Sequence, residues 1–198
     1  MATATPAQPK VLIAEDEAII RLDLKEMLEE EGFDVVGEAA DGDAALRLTR
    51  ERTPDLVIMD VKMPGMDGLT AAEQIVADDL AAVLVLTAFS QKDLVQRAAE
   101  AGALGYLVKP FQKSDLLPAI EIALARHAEL ASVRQESRSL EEQLETRKLV
   151  DRAKGLLMDA GGMTEAEAFR HIQKRAMDRR MSMRAVAEEV LRQSSPAE

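Results

Sequence analysis

Residues 56–68 read LVIMDVKMPGMDG, an apolar run that ends on Asp60 and breaks into a loop holding Pro64, Gly65 and Gly68. A strand buried on both faces needs a continuous Val, Ile and Leu run of this kind, and it ends where the chain meets water. A lone carboxylate at that point is only the first solvated residue. Its meaning depends on what else arrives at the same place.

Two similar runs, VLIA at 11–14 and VLVL at 83–86, and two weaker ones, FDVVG at 33–37 and GYLV at 105–108, share the first half of the chain. Segments with helical spacing separate them, such as Ile19, Ile20, Leu24, Met27 and Leu28 before the second. The alternation predicts an α/β fold, a flavodoxin-like, doubly wound five-stranded parallel sheet with helices on both faces. Turn chemistry agrees. Glu31-Gly32 closes the first helix, Asp41-Gly42 opens the second, Pro54 precedes the third strand and Ser90 stands where it would cap the fourth helix. A fifth helix is expected from about Ser114, with Asp115 in its first turn and Pro118 near enough to the start to be tolerated.

In a parallel sheet all strands point one way, so their last residues gather along one edge, where ligands of open α/β sheets bind. Here the first run ends in Glu15, Asp16 and Glu17, the third in Asp60, the fourth in Thr87 and the fifth in Lys109-Pro110. Acids held this close repel one another unless a cation or raised pKa values relieve them. Oxygen ligands without His or Cys select Mg²⁺. A carboxylate can also be a phosphoryl-transfer nucleophile, forming an acyl phosphate. Lys109 would then be the counter-ion of the transferring group and Thr87 a hydrogen-bond donor to the product. Taken singly, the acids could serve a helix dipole, Thr87 a cap, and Lys109 a solvated strand end. Their convergence on one edge carries the argument.

On VLIAEDE, LVIMDVKMPGMDG, VLTAFS and YLVKP, residues 9–126 resemble the receiver domain of two-component response regulators. The resemblance implies Asp60 as phosphoacceptor, with Glu15 and Asp16 as the acidic pair and Asp16 the direct Mg²⁺ ligand. It further implies the Lys62 carbonyl as a metal ligand, Thr87 as switch hydroxyl, Tyr106 as switch aromatic and Lys109 as the catalytic amine. A cis peptide at Lys109-Pro110 and a sensor histidine kinase as partner are implied as well. The first acid is Glu15, where the family more often has aspartate. A hydrolase of phosphate esters is not expected, because Lys62 stands where a second aspartate would serve as general acid.

Beyond the receiver, residues 127–139 predict a helical linker, and nothing between Leu117 and Met158 breaks a helix except Pro118 and Gly155. Leu130, Val133, Leu140 and Leu144 keep 3-4 spacing, interrupted by Ser137, over two heptads. A short coiled coil and a charged helix packing on its own neighbours both remain open. Thr164 and Glu167 form a capping box after Gly161-Gly162, and Ser182 precedes a last helix with Val186, Ala187, Val190 and Leu191 inward. A three-helix unit with a thin Leu, Met and Phe core follows from this pattern, small enough to favour docking or dimerisation.

Ala153-Lys154-Gly155 with Leu156, Leu157 and Met158, then Met163-Thr164, Glu167-Ala168-Phe169, Ala176-Met177 and Val186-Ala187, make residues 140–193 resemble the ANTAR domain of transcription antitermination regulators. That resemblance implies binding to RNA with paired small hairpin loops, and a homodimer formed on phosphorylation. Arg147, Lys148, Arg152, Lys154, Arg175, Arg179 and Arg180 are the candidate RNA contacts. Phe169 is expected in the core, and His127 and His171 on the surface. A receiver driving a DNA-binding regulator, or a protein relay without nucleic acid, are the rival readings. The DNA reading is weakened because MSMRAVAEEV offers one Arg and then two acids.

Composition bounds these expectations. Net charge is −11, yet residues 170–184 hold six basic side chains against Asp178 alone. Cysteine is absent, so disulfides and thiolate metal sites are excluded. With no apolar leader core in MATATPAQPK and no membrane-length apolar run, the sequence reads as a soluble cytoplasmic protein with no membrane partner.

Overall fold

The computed structural model describes residues 8–88 and 92–193. Its elements are β1 (Lys10–Ala14), α1 (Ala18–Glu30), β2 (Asp34–Ala39), α2 (Gly42–Arg52), β3 (Leu56–Asp60), α3 (Gly68–Ala77), β4 (Ala82–Thr87), α4 (Lys92–Glu100), β5 (Gly105–Val108), α5 (Lys113–Gly161), α6 (Glu165–Arg179) and α7 (Met183–Gln193). Two compact units divide between Ala131 and Ser132, so α5 contributes residues to both. Ser90, the expected α4 cap, lies outside the described residues.

In the first unit the strands lie in the order β2-β1-β3-β4-β5, and every pairing is parallel. Because side chains alternate along a strand, the buried runs split cleanly between two cores. Val11, Ile13, Leu56, Ile58, Leu84 and Leu86 join Leu24 and Leu28 of α1 and Leu116, Ile120 and Ala123 of α5. Leu12, Val57, Met59, Val83 and Val85 face Ala45 and Leu46 of α2 and Leu69, Ala72 and Ile75 of α3. Burial on both faces is what the continuous apolar runs require. Ile19 departs from the expected inward stripe of α1 and is 84% exposed.

The glycines of the opening stretch now have reasons. Gly65 has φ +73°, in the left-handed region that favours glycine. A Cβ on Gly68 would stand 1.8 Å from the carbonyl oxygen of Asp60. The chain turns back on the strand end at that point, with the Gly68 amide donating to the Val61 carbonyl at 3.0 Å. Asp67 then caps α3 by accepting from the Thr70 amide, and Asp41 does the same for α2 from Ala44. The loop therefore fixes where β3 delivers its last residue.

In the second unit, Val150 and Ala153 of α5 pack with Ile172 and Ala176 of α6 and Val186, Ala187 and Val190 of α7. This core is Val, Ala and Ile with Leu and Met at its margin; the expected phenylalanine is not in it, and Phe169 is 42% exposed. The reason lies in helix geometry: Ala168 and Ile172, four residues apart, take the inward face of α6 and leave Phe169 at its margin. The Thr164–Glu167 capping box forms as expected. Leu130, Val133, Leu140 and Leu144 are all exposed. Gly68→Ala is expected to destabilise the first unit by about 2 kcal/mol through forced displacement of the Asp60 carbonyl; thermal denaturation measures it, and an unchanged Tm would show that the turn relaxes freely.

Candidate functional site

The C-terminal strand ends deliver their side chains to one edge. Glu15, Asp60 and Thr87 are the buried polar residues there, at 0%, 6% and 4% exposure. Carboxylate oxygens of Glu15, Asp16 and Asp60 lie within 4.8 Å of one another. The Lys109 ammonium, carried in on β5 and the following cis Lys109–Pro110 peptide, donates to Glu15 Oε2 and stands 3.3 Å from Asp60 Oδ2. A cleft of about 220 Å³ opens above them, lined by Asp16, Asp60, Lys62, Thr87 and Lys109.

Charge balance at this edge is set by burial against a single lysine. Burial pushes the Glu15 carboxyl up, the Asp60 charge adds to the rise, and the hydrogen bond from Lys109 opposes it. Asp60 is likewise raised by burial, with Lys109 opposing and Asp16 adding. Burial works to lower the Lys109 ammonium, but its hydrogen bond to Glu15 and the charge of Asp60 hold it above the usual lysine value. Three acids to one base leave room for a divalent cation, and an all-oxygen donor set suits a hard one. Asp16 and Asp60 open to the cleft, whereas Glu15 lies behind them, its Oε2 taken by Lys109.

One residue of the site, Arg21, escaped sequence reasoning, which marks Glu17 only as a strand-end acid. Glu17 lines the cleft beside Asp16. Arg21 reaches back from α1, donating to the carbonyls of Glu15 and, at 3.4 Å, Asp16, so it fixes the acidic loop through its backbone. A basic side chain one turn after Glu17 was the available signal. Tyr106 is 48% exposed, its ring turned away from the core.

The second unit distributes the seven candidate basic residues unevenly. Lys148 pairs with Glu145 at 2.7 Å, and Lys154 bridges Asp151 and Glu165, both at 2.8 Å. Arg175 and Arg179 converge on Glu189 of α7, at 2.9 and 3.1 Å. The Arg147 charge helps hold the Asp151 carboxyl low, after the hydrogen bond from Lys154. Arg152 and Arg180 make no side-chain hydrogen bond or ion pair among the described residues. Phe169 lines a cleft of about 580 Å³ with Glu142, Arg147, Val150, Asp151, Lys154 and Met183, so its exposed ring stands among charges of both signs. His171 is exposed and His127 half-buried.

Comparison with known proteins covers both units. Residues 11–121 match the response regulator receiver domain and residues 138–191 the ANTAR domain. The transcriptional regulatory protein PdtaR of Mycobacterium tuberculosis is 60% identical over 182 residues, 92% of this chain and 89% of that protein. The chemotaxis protein CheY of Bacillus subtilis is 41% identical over 116 residues, 58% of this chain and 97% of its own. Among solved structures, the signal receiver domain of a response regulator NarL from M. tuberculosis superposes with TM-score 0.58 at 31% identity, covering 61% of this chain and 98% of that one. CheY in the CheX-CheY-BeF3-Mg complex from Borrelia burgdorferi gives 0.53 at 30%, covering 56% and 85%. No described helix is long and apolar enough to cross a membrane.

Lys109→Met removes the cation facing a fully buried Glu15 and is expected to cost about 3 kcal/mol at neutral pH. In the variant the folded-state pKa of Glu15 stays above its ordinary 4.5, so the deficit against wild type shrinks as pH falls toward that value, where Glu15 is neutral. Urea denaturation at several pH values checks the sign. In the second unit, Glu189→Gln loosens two guanidinium contacts between α6 and α7 and lowers the Tm of that unit; an unaltered Tm would make the pairs incidental.

Proposed function

The chain belongs to the response regulators in which a receiver domain is followed by an ANTAR domain, and on that premise we propose that phosphorylation of Asp60 switches the second unit to bind RNA and promote transcription antitermination. The observation that carries the reading is the buried Asp60 carboxylate beneath a small cleft, with Lys109 at 3.3 Å and two further acids within reach. An Asp60 oxygen attacks the phosphorus of a phosphohistidine in a sensor kinase, or of a small phosphodonor, forming the acyl phosphate as the donor P–N or P–O bond breaks. Attack of water on that phosphorus returns the carboxylate and inorganic phosphate. The chain performs no other catalysis.

Mg²⁺ at this site would supply neutralisation of the phosphoryl charge. Asp16, Asp60 and the Lys62 carbonyl are the residues that would hold it, with Glu15 contributing charge from behind while its hydrogen bond with Lys109 positions the ammonium. Lys109 balances the added phosphoryl oxygens. Thr87 donates its hydroxyl to one of them, and Tyr106 turns into the space that Thr87 vacates, which is a shift in population between two arrangements. The exposed seam of Leu130, Val133, Leu140 and Leu144 favours self-association of the phosphorylated form. RNA is preferred over duplex DNA as the output ligand because α7 presents few base-reading side chains; its one early arginine, Arg184, bonds Glu188 at 3.0 Å. The protein acts in the cytoplasm, where nascent transcripts are made.

The test measures binding of the full chain to an RNA with two small-loop hairpins and to a duplex DNA, with Mg²⁺ and beryllofluoride present or absent. RNA binding strengthened about tenfold or more by beryllofluoride is expected, and lost strengthening in Asp60→Asn, which keeps the wild-type fold by circular dichroism. Preference for the duplex would move the output to DNA. No binding to either, with phosphorylation intact, would make the protein a relay between proteins.

A further inference from the structure

Most other glycines of the chain are accounted for inside it. Gly42 and Gly68 lie against backbone oxygens, and Gly32, Gly65, Gly102 and Gly162 have positive φ. Gly105 lies tight against Leu84, whereas Gly37 and Gly161, the latter ending α5, meet side chains only at ordinary van der Waals distance. Gly155 is different. It sits inside α5, and a Cβ built on it meets nothing within 4 Å. Glycine in a helix interior loses more backbone entropy on folding than alanine does and destabilises the helix. Alanine fits here, so the fold of the chain does not require the glycine.

The surroundings indicate what does. On α5 the residues three and four away share the Gly155 face. Arg152, one turn before, is exposed and has no side-chain hydrogen bond or ion pair among the described residues. Met158, one turn after, is 39% exposed. Of the two acids on this face, Asp151 is held by Lys154 at 2.8 Å and Asp159 lies one turn beyond, at the far side of Met158. A close-packed second helix would call for apolar neighbours around a small residue, and here three of the four flanking groups, Arg152, Asp151 and Asp159, are charged, with Met158 the one apolar side chain. A bare stretch of helix beside a free guanidinium fork instead matches a sugar-phosphate chain, with the planar fork on a phosphate and the thioether against a ribose or base.

The geometry points to Gly155 as a close-approach site, where the RNA backbone rests directly on the α5 main chain while Arg152 grips the adjoining phosphate. This rests on the RNA-binding reading above and sharpens it to one contact. Stability and affinity should then respond to Gly155→Ala in opposite directions.

The experiment compares wild type, Gly155→Ala, Arg152→Ala and the double variant as full chains with Mg²⁺ and beryllofluoride. It records the Tm of the second unit, the sedimentation behaviour and affinity for the two-hairpin RNA. Gly155→Ala is expected to raise the Tm by a few degrees and to weaken RNA binding by about tenfold, which is about 1.4 kcal/mol. Arg152→Ala weakens binding with little change in Tm, and the two losses are non-additive because one phosphate is shared. Unchanged RNA affinity in Gly155→Ala, a lowered Tm, or an altered oligomeric state without loss of RNA binding would each overturn the site. Absence of RNA binding by the wild type would remove the underlying reading along with it.

Discussion

Everything at the strand-end edge depends on the ammonium of Lys109 standing between two buried carboxylates, Glu15 and Asp60. Glu15 is wholly buried and Asp60 nearly so, and both are pushed toward the protonated form by desolvation. One positive charge delivered from β5, the edge strand of the sheet, opposes that push for acids that follow β1 and end β3. The arrangement requires parallel strands, since only then do the ends of β1, β3, β4 and β5 meet. It also requires Gly68, because the turn back on β3 leaves no room for a side chain beside the Asp60 carbonyl. Sheet order, loop composition and charge are thus one constraint seen at three scales.

Most of that edge could be read from sequence because its signals are local. Apolar runs mark strands buried on both faces, and the residue after each run is a strand end by construction. Asp60, Thr87 and Lys109 needed only the rule that parallel ends converge. What could not be read was lateral. Arg21 acts by reaching carbonyls across a turn, and a backbone partner leaves no mark in a side-chain pattern. Glu15 and Asp16 look alike in sequence, yet one lies behind the cleft and the other lines it.

The second unit shows the opposite balance. Its capping box and inward positions on α7 were legible because capping and helical period are local rules. Phe169 was misread because helical phase alone does not exclude it: three residues before Ile172 it stands at the margin of the inward face, where Ala168 takes the buried position. The basic residues were likewise legible as a cluster and illegible as individuals, since each one's freedom depends on an acid that the sequence places elsewhere. Glu189 lies ten residues from Arg179 and fourteen from Arg175 along the chain.

That carboxylate alters how the charge of the unit would meet a polyanion. The salt dependence of such binding counts the counterions released as cations neutralise phosphates. Arg175 and Arg179 share one internal carboxylate, which offsets one of their two charges, and Lys148 and Lys154 are paired with acids of their own. For these residues a phosphate must first displace a carboxylate, which exchanges one anion for another. The thermodynamic charge of the surface is accordingly smaller than its formal charge and is concentrated in the few cations left unmatched. A basic stretch in the sequence thereby becomes a selective surface, at which shape and the placement of single guanidinium groups outweigh bulk attraction.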